Sequence, residues 1–375
     1  MSKLAFYAPM KSPTHPVPSG DREMAKGVFS ALSGNAFNWS VELASELRLY
    51  DGAGDADVQT ALKQQADKEI ERLLGISKTV NKNVDSNQKA SKPWHAWITY
   101  HNYYKAPDLI GPAVSKALNI PYLLIEASIA KKRYQGRWAE FAKLGDAACL
   151  AADTIFYLTE RDKDALQKRK PENQVLKHLS PFLNRLPDDL PPMAELNDSH
   201  LLAVGMHRPG DKLESYKTIA AALQHLKSPD WTLSIVGDGK AHKLVQGLFQ
   251  PFGDRIEFCG ELDPTQMMDK YLQSSIFLWP GVNEAFGMVY LEAQLAGLPV
   301  VAEDRPGVRD VIEVSESLVK SDSPQLMAAA VDQLISSIEL RKKRGVRGRQ
   351  AIVDRHLSDS ATKSLISEIE RLVIV

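Results

Sequence analysis

The chain has 375 residues, a length that points to two domains of ordinary size. Hydrophobic residues make up 44% of it and charged ones 25%, so it can bury real cores, and a formal net charge of −1 gives no bulk electrostatic reason to expect nucleic acid as a partner. Its two cysteines, Cys149 and Cys259, lie far apart without metal-ligand spacing, which argues against a disulfide framework or a structural zinc site and fits a reducing compartment. The apolar stretch 4–10 is too short for a signal peptide, and no run reaches the length of a membrane span. The expected location is cytoplasmic, with peripheral contact at the inner face of the membrane left open.

Residues 4–9 read as a first strand. A Pro- and Gly-rich loop, 12–20, follows it, and Asp21-Arg22-Glu23-Met24 opens a helix that Ser19 or Asp21 can cap. Loops from strand end to helix start are where open α/β sheets bind ligands, and Gly20 permits close backbone approach. The dinucleotide pattern Gly-x-Gly-x-x-Gly is absent, so the pattern alone leaves a capped turn and a site as alternatives. Strands follow at 39–44 and 94–100, with a polar helix at 55–74 between them. His101 comes next, among Tyr103 and Tyr104; it is either a ligand-facing group or a hydrogen-bonded structural histidine. Helix 108–118 leads to strand 121–125, which Glu126-Ala127-Ser128 ends. Lys131-Lys132-Arg133 and Arg137 read as a solvated cluster, with an anionic acceptor as the functional alternative. Helix 138–150, strand 154–158 and helix 161–168 continue the alternation.

Residues 181–198, rich in proline and acids and without periodicity, read as a linker. The alternation then restarts with strands at 200–205, 231–237, 255–259, 276–279 and 299–302, and helices at 213–226, 241–249, 264–273 and 286–297. Two such blocks predict two doubly wound, Rossmann-like α/β domains, 1–185 and 186–355, and a last helix within 356–375. The dense basic run Arg341-Lys342-Lys343-Arg344 with Arg347 and Arg349 reads as a solvated helix end, with anionic lipid as the secondary reading.

Two carboxylates stand out. Strand 276–279 is stopped by Pro280 and Gly281, a loop carries Glu284, and Glu292 sits about six residues into the helix that follows, or roughly 9 Å along its axis. That is about the span of a diphosphate linkage, with the helix N–H groups between the two ends. Glu292 is also the helix's only charge, among Tyr290, Leu291, Leu295 and Ala296. Either glutamate taken alone is equally readable as a solvated surface residue. Further upstream, Arg208 and Lys212 lie in a Gly/Pro loop after strand 200–205, able to converge on phosphate oxygens.

The segment Glu284-Ala285-Phe286-Gly287, then Glu292-Ala293, then Ala296-Gly297-Leu298-Pro299-Val300-Val301-Ala302 resembles the Glu-x7-Glu signature of retaining glycosyltransferases of family 4, the glycosyl transferases group 1. The resemblance covers nearly the whole chain and is most specific in the second half. It implies the GT-B fold, two Rossmann-like domains facing a cleft, with the last helix crossing back to the first domain. It implies a sugar moved, with retention, from a nucleotide-diphosphate donor to a glycan, lipid-linked or other hydroxyl acceptor, as in polysaccharide biosynthesis. Arg208 and Lys212 would neutralise the donor diphosphate, although their spacing departs from the common pattern. Glu292 would take the ribose hydroxyls, and Glu284 with the backbone of Ala285, Phe286, Gly287 and Met288 the donor sugar. Gly205 and Gly237 would let the backbone approach the nucleotide, and Phe258-Cys259-Gly260 would border its base. Gly20, Asp21, His101 and Glu126 fall on the acceptor side; many members carry a histidine where this chain has Ala127, which makes Glu126 the alternative polar group. A front-side displacement needs no protein nucleophile. No Asp-x-Asp motif lies in a suitable loop, so no obligatory metal or other cofactor is expected. The rival readings are a nucleotide-sugar epimerase or hydrolase on the same architecture, and a non-catalytic scaffold.

Overall fold

The computed structural model describes residues 2–17, 19–33, 39–82 and 92–373. Pro18, in the Pro- and Gly-rich loop, and the last two residues of the expected final helix lie outside the described residues. The chain divides into two compact units, residues 1–179 with 358–375, and residues 180–357.

The first unit is a six-stranded parallel sheet. Its strands are β1 (Ser2–Tyr7), β2 (Trp39–Ser45), β3 (Ala96–Asn102), β4 (Tyr122–Ala127), β5 (Thr154–Tyr157) and β6 (Val175–His178), in spatial order β2-β1-β3-β4-β5-β6. The helices are α1 (Gly20–Leu32), α2 (Ala56–Lys82), α3 (Gly111–Leu118), α4 (Ala139–Ala151) and α5 (Glu160–Gln167). Central strands of such sheets are covered on both faces and therefore read as unbroken apolar runs. Leu123-Leu124-Ile125 of β4 is such a run, wholly buried, whereas β2 at the edge alternates buried and exposed. The strand order reverses between β1 and β3, so the loops after these two strands diverge at the carboxyl edge.

The second unit repeats the plan with β7 (His200–Val204), β8 (Thr232–Val236), β9 (Ile256–Gly260), β10 (Ile276–Leu278), β11 (Val300–Glu303) and β12 (Leu318–Val319). Their order is β12-β11-β10-β7-β8-β9, which places the reversal between β7 and β10. That is the strand order of dinucleotide-binding doubly wound sheets. The helices α6 (Asp211–Leu223), α7 (His242–Phe249), α8 (Pro264–Leu272), α9 (Met288–Leu295), α10 (Pro324–Ser336) and α11 (Ile338–Arg355) pack around it. The last helix, α12 (Ser358–Val373), belongs to the first unit and packs against α1. Its Glu368 carboxylate is buried there, taking bonds from Thr154 and Lys177.

Three readings of the sequence change on the structure. The proline-rich segment 181–198 is not a free tether: Leu183, Ala194 and Leu196 are buried, and the division between the units falls before it, at 179/180 instead of 185/186. The basic run is solvated only in part: Lys342, Lys343 and Arg347 are exposed. It lies inside α11, and Arg341 and Arg344 are buried. The Arg341 guanidinium donates to the carbonyls of Leu196, Leu334 and Ile335, and that of Arg349 to those of Pro191, Pro192 and Leu295. These arginines fasten the strap to the helix layer, and the pattern of charges could not reveal it because a guanidinium that satisfies carbonyls looks the same in sequence as one in water. Finally, β6 was missed; it is a short, half-exposed edge strand with no clear alternation.

Candidate functional site

At the β7/β10 reversal the carboxyl ends of two neighbouring strands release the loops 205–210 and 279–287. The sequence reading placed Lys212 in the first loop; it is the second residue of α6. Likewise α9 begins at Met288 and not at 286, because Gly287 takes a φ of 80° that no helix residue adopts. Glu292 is therefore four residues past the helix start, about 6 Å along its axis and not 9 Å.

The Lys212 ammonium is ion-paired with the Glu284 carboxylate. It also lies 5.2 Å from the centre of the Trp279 ring, whose indole N–H donates to Glu284 at 3.1 Å. Trp279 is wholly buried, with Tyr216 edge-on to it at 5.1 Å. The loop that carries Glu284 is held to α6 at two further points: the Val282 N–H donates to Ser215 Oγ at 3.1 Å, and the Asn283 amide to the Asp211 carboxylate at 2.9 Å. Glu292, half-buried, accepts from the Tyr271 hydroxyl at 2.7 Å. Burial and this neighbouring carboxylate together push the Tyr271 phenol far above its ordinary range, so it stays a donor.

Arg208 is exposed. Its backbone N–H bonds to the Met206 carbonyl, and among the described residues its side chain has no ion-pair partner. The structure thus joins Lys212, Glu284 and Trp279 directly and leaves Arg208 exposed in the loop 205–210 that leads into α6. Ala285 is exposed, Phe286 buried, and Gly287 and Met288 half-buried at the start of α9, where the first helical amides lack intrahelical acceptors. Gly205 and Gly237 have a packing reason of their own. Gly237 sits at a φ of 137°, and a Cβ on it would come within 2.0 Å of the Gly205 carbonyl oxygen; one on Gly205 would meet the Trp279 ring at 2.5 Å.

The reversal in the first unit holds the other candidate residues. Pairing of β3 with β4 sets Tyr100 beside Ile125 and Asn102 beside Ala127, which brings His101 and Glu126 alongside one another. Both lie within the strands, not after them as the sequence suggested. Both have left-handed backbones, φ 63° and 59°, a strain of about 1–3 kcal/mol each. Gly20 and Asp21 are the first two residues of α1, with Ser19 as the cap. His101 Nδ1 is hydrogen-bonded to the Asp21 carboxylate, and its Nε2 is 3.9 Å from Glu126. Tyr103 stacks on the imidazole at 4.7 Å. Asp21 Oδ2 and Glu126 Oε2 are buried without a partner among the described residues. The basic cluster is split: Lys131, Lys132 and Arg137 are exposed, while the Arg133 guanidinium stacks on Tyr104 and Trp138 at 5.1 and 5.3 Å.

Burial opposes charge on His101, but the Glu126 and Asp21 carboxylates outweigh it and raise its pKa from 6.5 to about 9. Burial likewise raises Glu126 above the usual carboxylate range. A pKa raised on folding stabilises the fold fully below the unfolded value and is lost as pH climbs through the folded one. The chain is therefore expected to lose stability between about pH 6.5 and pH 9 as this histidine deprotonates. Thermal midpoints of wild type and His101→Gln across that interval check this; the variant's profile should be the flatter one.

Trp279 and Tyr271 were not singled out in the sequence, since each reads as core. An aromatic at the C-terminal end of the strand beside the reversal was the signal available for Trp279. Tyr271, 21 residues before Glu292, offered none.

The fold is the GT-B architecture, two Rossmann-like α/β units. More particularly, residues 206–351 match the family model described as Glycosyl transferases group 1, which takes in Arg208, Lys212, Glu284 and Glu292. An uncharacterized glycosyltransferase of Haemophilus influenzae is 30% identical over 203 residues, 52% of this chain and 54% of that one. A phosphatidyl-myo-inositol mannosyltransferase of Mycobacterium tuberculosis is 34% identical over 131 residues, 33% of this chain and 34% of that one. The chain thus spans about half of the first relative and a third of the second. Among solved structures, the sucrose-phosphate synthase of Thermosynechococcus elongatus superposes with a TM-score of 0.73 at 17% identity, covering 99% of both chains. The E. coli trehalose-6-phosphate protein bound with UDP-2-fluoro glucose does so at 0.66 and 13%, covering 99% of this chain and 100% of that one. At these identities the likeness shows the fold. No helix among the described residues is long and apolar enough to cross a membrane.

Proposed function

We propose that the chain is a retaining glycosyltransferase that takes a sugar from a nucleotide-diphosphate donor and gives it to a hydroxyl of a glycan or lipid-linked acceptor. The observation that carries this reading is the Lys212–Glu284 pair, set at the β7/β10 reversal beside the first amides of α9. The match of this segment to group 1 glycosyl transferases supports it.

The chemistry follows from what each group can offer. A diphosphate carries more negative charge than one carboxylate, so on donor binding Lys212 exchanges Glu284 for phosphate oxygens. Glu284, still fixed by the Trp279 N–H, then accepts from sugar hydroxyls. Arg208, exposed in the loop before α6, adds its fork to the phosphates. Negative charge grows on the leaving diphosphate as the glycosidic bond breaks, and fixed cations and helix amides lower that barrier most. Glu292, oriented by Tyr271, takes the ribose hydroxyls. No protein nucleophile is required: the acceptor oxygen attacks from the face the diphosphate leaves, and its proton passes to the departing phosphate. In the first unit, Asp21 and Glu126 provide carboxylate oxygens for an acceptor hydroxyl, beside the His101–Tyr103 stack. The similarity to a phosphatidyl-myo-inositol mannosyltransferase supports a lipid-linked acceptor.

Product analysis tests the proposal. Purified chain is incubated with UDP-, GDP- and ADP-sugars, with and without glycan and lipid-linked acceptors, and products are read by mass and by the anomeric proton in NMR. Acceptor-dependent transfer with the donor's configuration kept, in chelator as well as without it, is expected. Acceptor-independent conversion of the sugar nucleotide would point to epimerisation or hydrolysis instead.

A further inference from the structure

A second cluster lies next to the proposed phosphate loop and takes no part in the chemistry above. His207, in the loop between β7 and α6, is wholly buried. Its Nδ1 faces the Nδ1 of His242, the first residue of α7, at 2.9 Å, and that nitrogen is 3.3 Å from Asp238 Oδ1. The three donor atoms all lie within 4.8 Å of one another.

Asp238 Oδ1 already accepts from the Gly239 N–H at 2.6 Å. His242 Nδ1 carries one proton or none, so as a donor it serves either His207 Nδ1 or the carboxylate, whereas a cation among the three atoms would be bound by all of them. From the geometry we infer that His207 Nδ1, His242 Nδ1 and the Asp238 carboxylate form a binding site for a divalent transition-metal ion of the Zn2+ class. Two imidazoles and one carboxylate are a donor set for zinc, with metal–nitrogen distances of about 2.0–2.1 Å. Tetrahedral placement then needs donor atoms roughly 3.3 Å apart, against 2.9 Å between the two Nδ1 atoms and 3.3 Å from His242 Nδ1 to Asp238 Oδ1.

The frame is already built. The His207 N–H donates to the Asp238 carbonyl at 2.9 Å, and the Ala241 N–H to the His207 carbonyl at 2.8 Å, so the two loops are laced together without an ion. The imidazole of His207 is held edge-on by Tyr216 at 5.1 Å. Its Nε2 is buried without a partner among the described residues. Asp238 is exposed and His242 half-buried, which leaves an entry path and a fourth position open to water. A bound ion would pin the loop carrying Arg208 to the start of α7. No cysteine takes part, so cysteine spacing in the sequence could give no sign of it.

The test needs no sugar nucleotide, so its failure and the failure of the glycosyltransferase reading are separate results. Chelator-stripped chain is titrated with Zn2+ by calorimetry and with Co2+ by visible absorption. One ion per chain is expected, with the intense visible bands of four-coordinate Co2+, and no comparable heat from Mg2+. Affinity for Zn2+ should fall in His242→Ala and in Asp238→Asn by more than the ~10–100-fold that even changes behind the ligands cause. His225→Ala, an exposed histidine elsewhere in the unit, should bind as wild type does, and the metal-free thermal midpoint of Asp238→Asn should stay at the wild-type value. No Zn2+ binding by the wild type, or wild-type affinity in both His242→Ala and Asp238→Asn, overturns the site.

Discussion

Replacing Lys212 by alanine is expected to lower turnover about 10²–10³-fold, the loss typical when one preorganised charge-stabilising donor is removed from a transition state. Among the described residues the side chain is the one cation in ion-paired contact with Glu284 and above the Trp279 ring, and it is only partly exposed. Its removal takes away charge that matters more as the diphosphate departs than while it is bound. The fall should therefore appear in kcat as well as in kcat/KM. A second consequence follows from the pairing. Without Lys212 the Glu284 carboxylate keeps, among the described residues, only the Trp279 N–H, and its charge then faces an incoming diphosphate without a cation beside it. Lys212→Ala with Glu284→Gln should thus recover part of the donor affinity lost in Lys212→Ala, a non-additivity expected of groups in direct contact. Initial rates and donor affinity for the three variants decide it. Strict additivity would mean the pair does not act on the donor.

Glu292→Gln is expected to weaken nucleoside diphosphate binding by roughly 10–100-fold, the worth of a hydrogen bond to a charged acceptor. The side chain is held by the Tyr271 hydroxyl at 2.7 Å, and glutamine can keep that bond through its carbonyl while offering an N–H2 group where the second carboxylate oxygen stood. The change is thus close to isosteric and leaves the buried phenol satisfied. Inorganic pyrophosphate, which has no ribose, should bind both proteins alike, and this contrast separates a ribose contact from a general disturbance of α9.

The doubly wound plan of both units was legible because parallel strands are unbroken apolar runs and their helices keep to the intervals between them. What the runs do not encode is order: nothing in Ile276-Phe277-Leu278 says that it lies beside β7, and it is that neighbour that brings Glu284 to Lys212. Element ends were misplaced where a single backbone angle decides, as at Gly287 before α9, and where a strand runs on through polar residues, as at His101 and Glu126. The carboxylates were visible in the sequence as charges in apolar company. Their partners were not: Trp279 and Tyr271 carry their polar atoms on aromatic bodies that read as core, and both are buried. The arginines of α11 failed the opposite way, reading as surface while donating inside to carbonyls of a distant strap.

The most direct measurement is a thermal-shift titration of wild type and Glu292→Gln with UDP, GDP and ADP and their common sugar conjugates. A ligand that binds the native state raises its apparent stability by mass action, whatever the acceptor proves to be. The account predicts a saturable rise with one of the three bases, much reduced in Glu292→Gln. No rise with any of them, or one equal in both proteins, would contradict it.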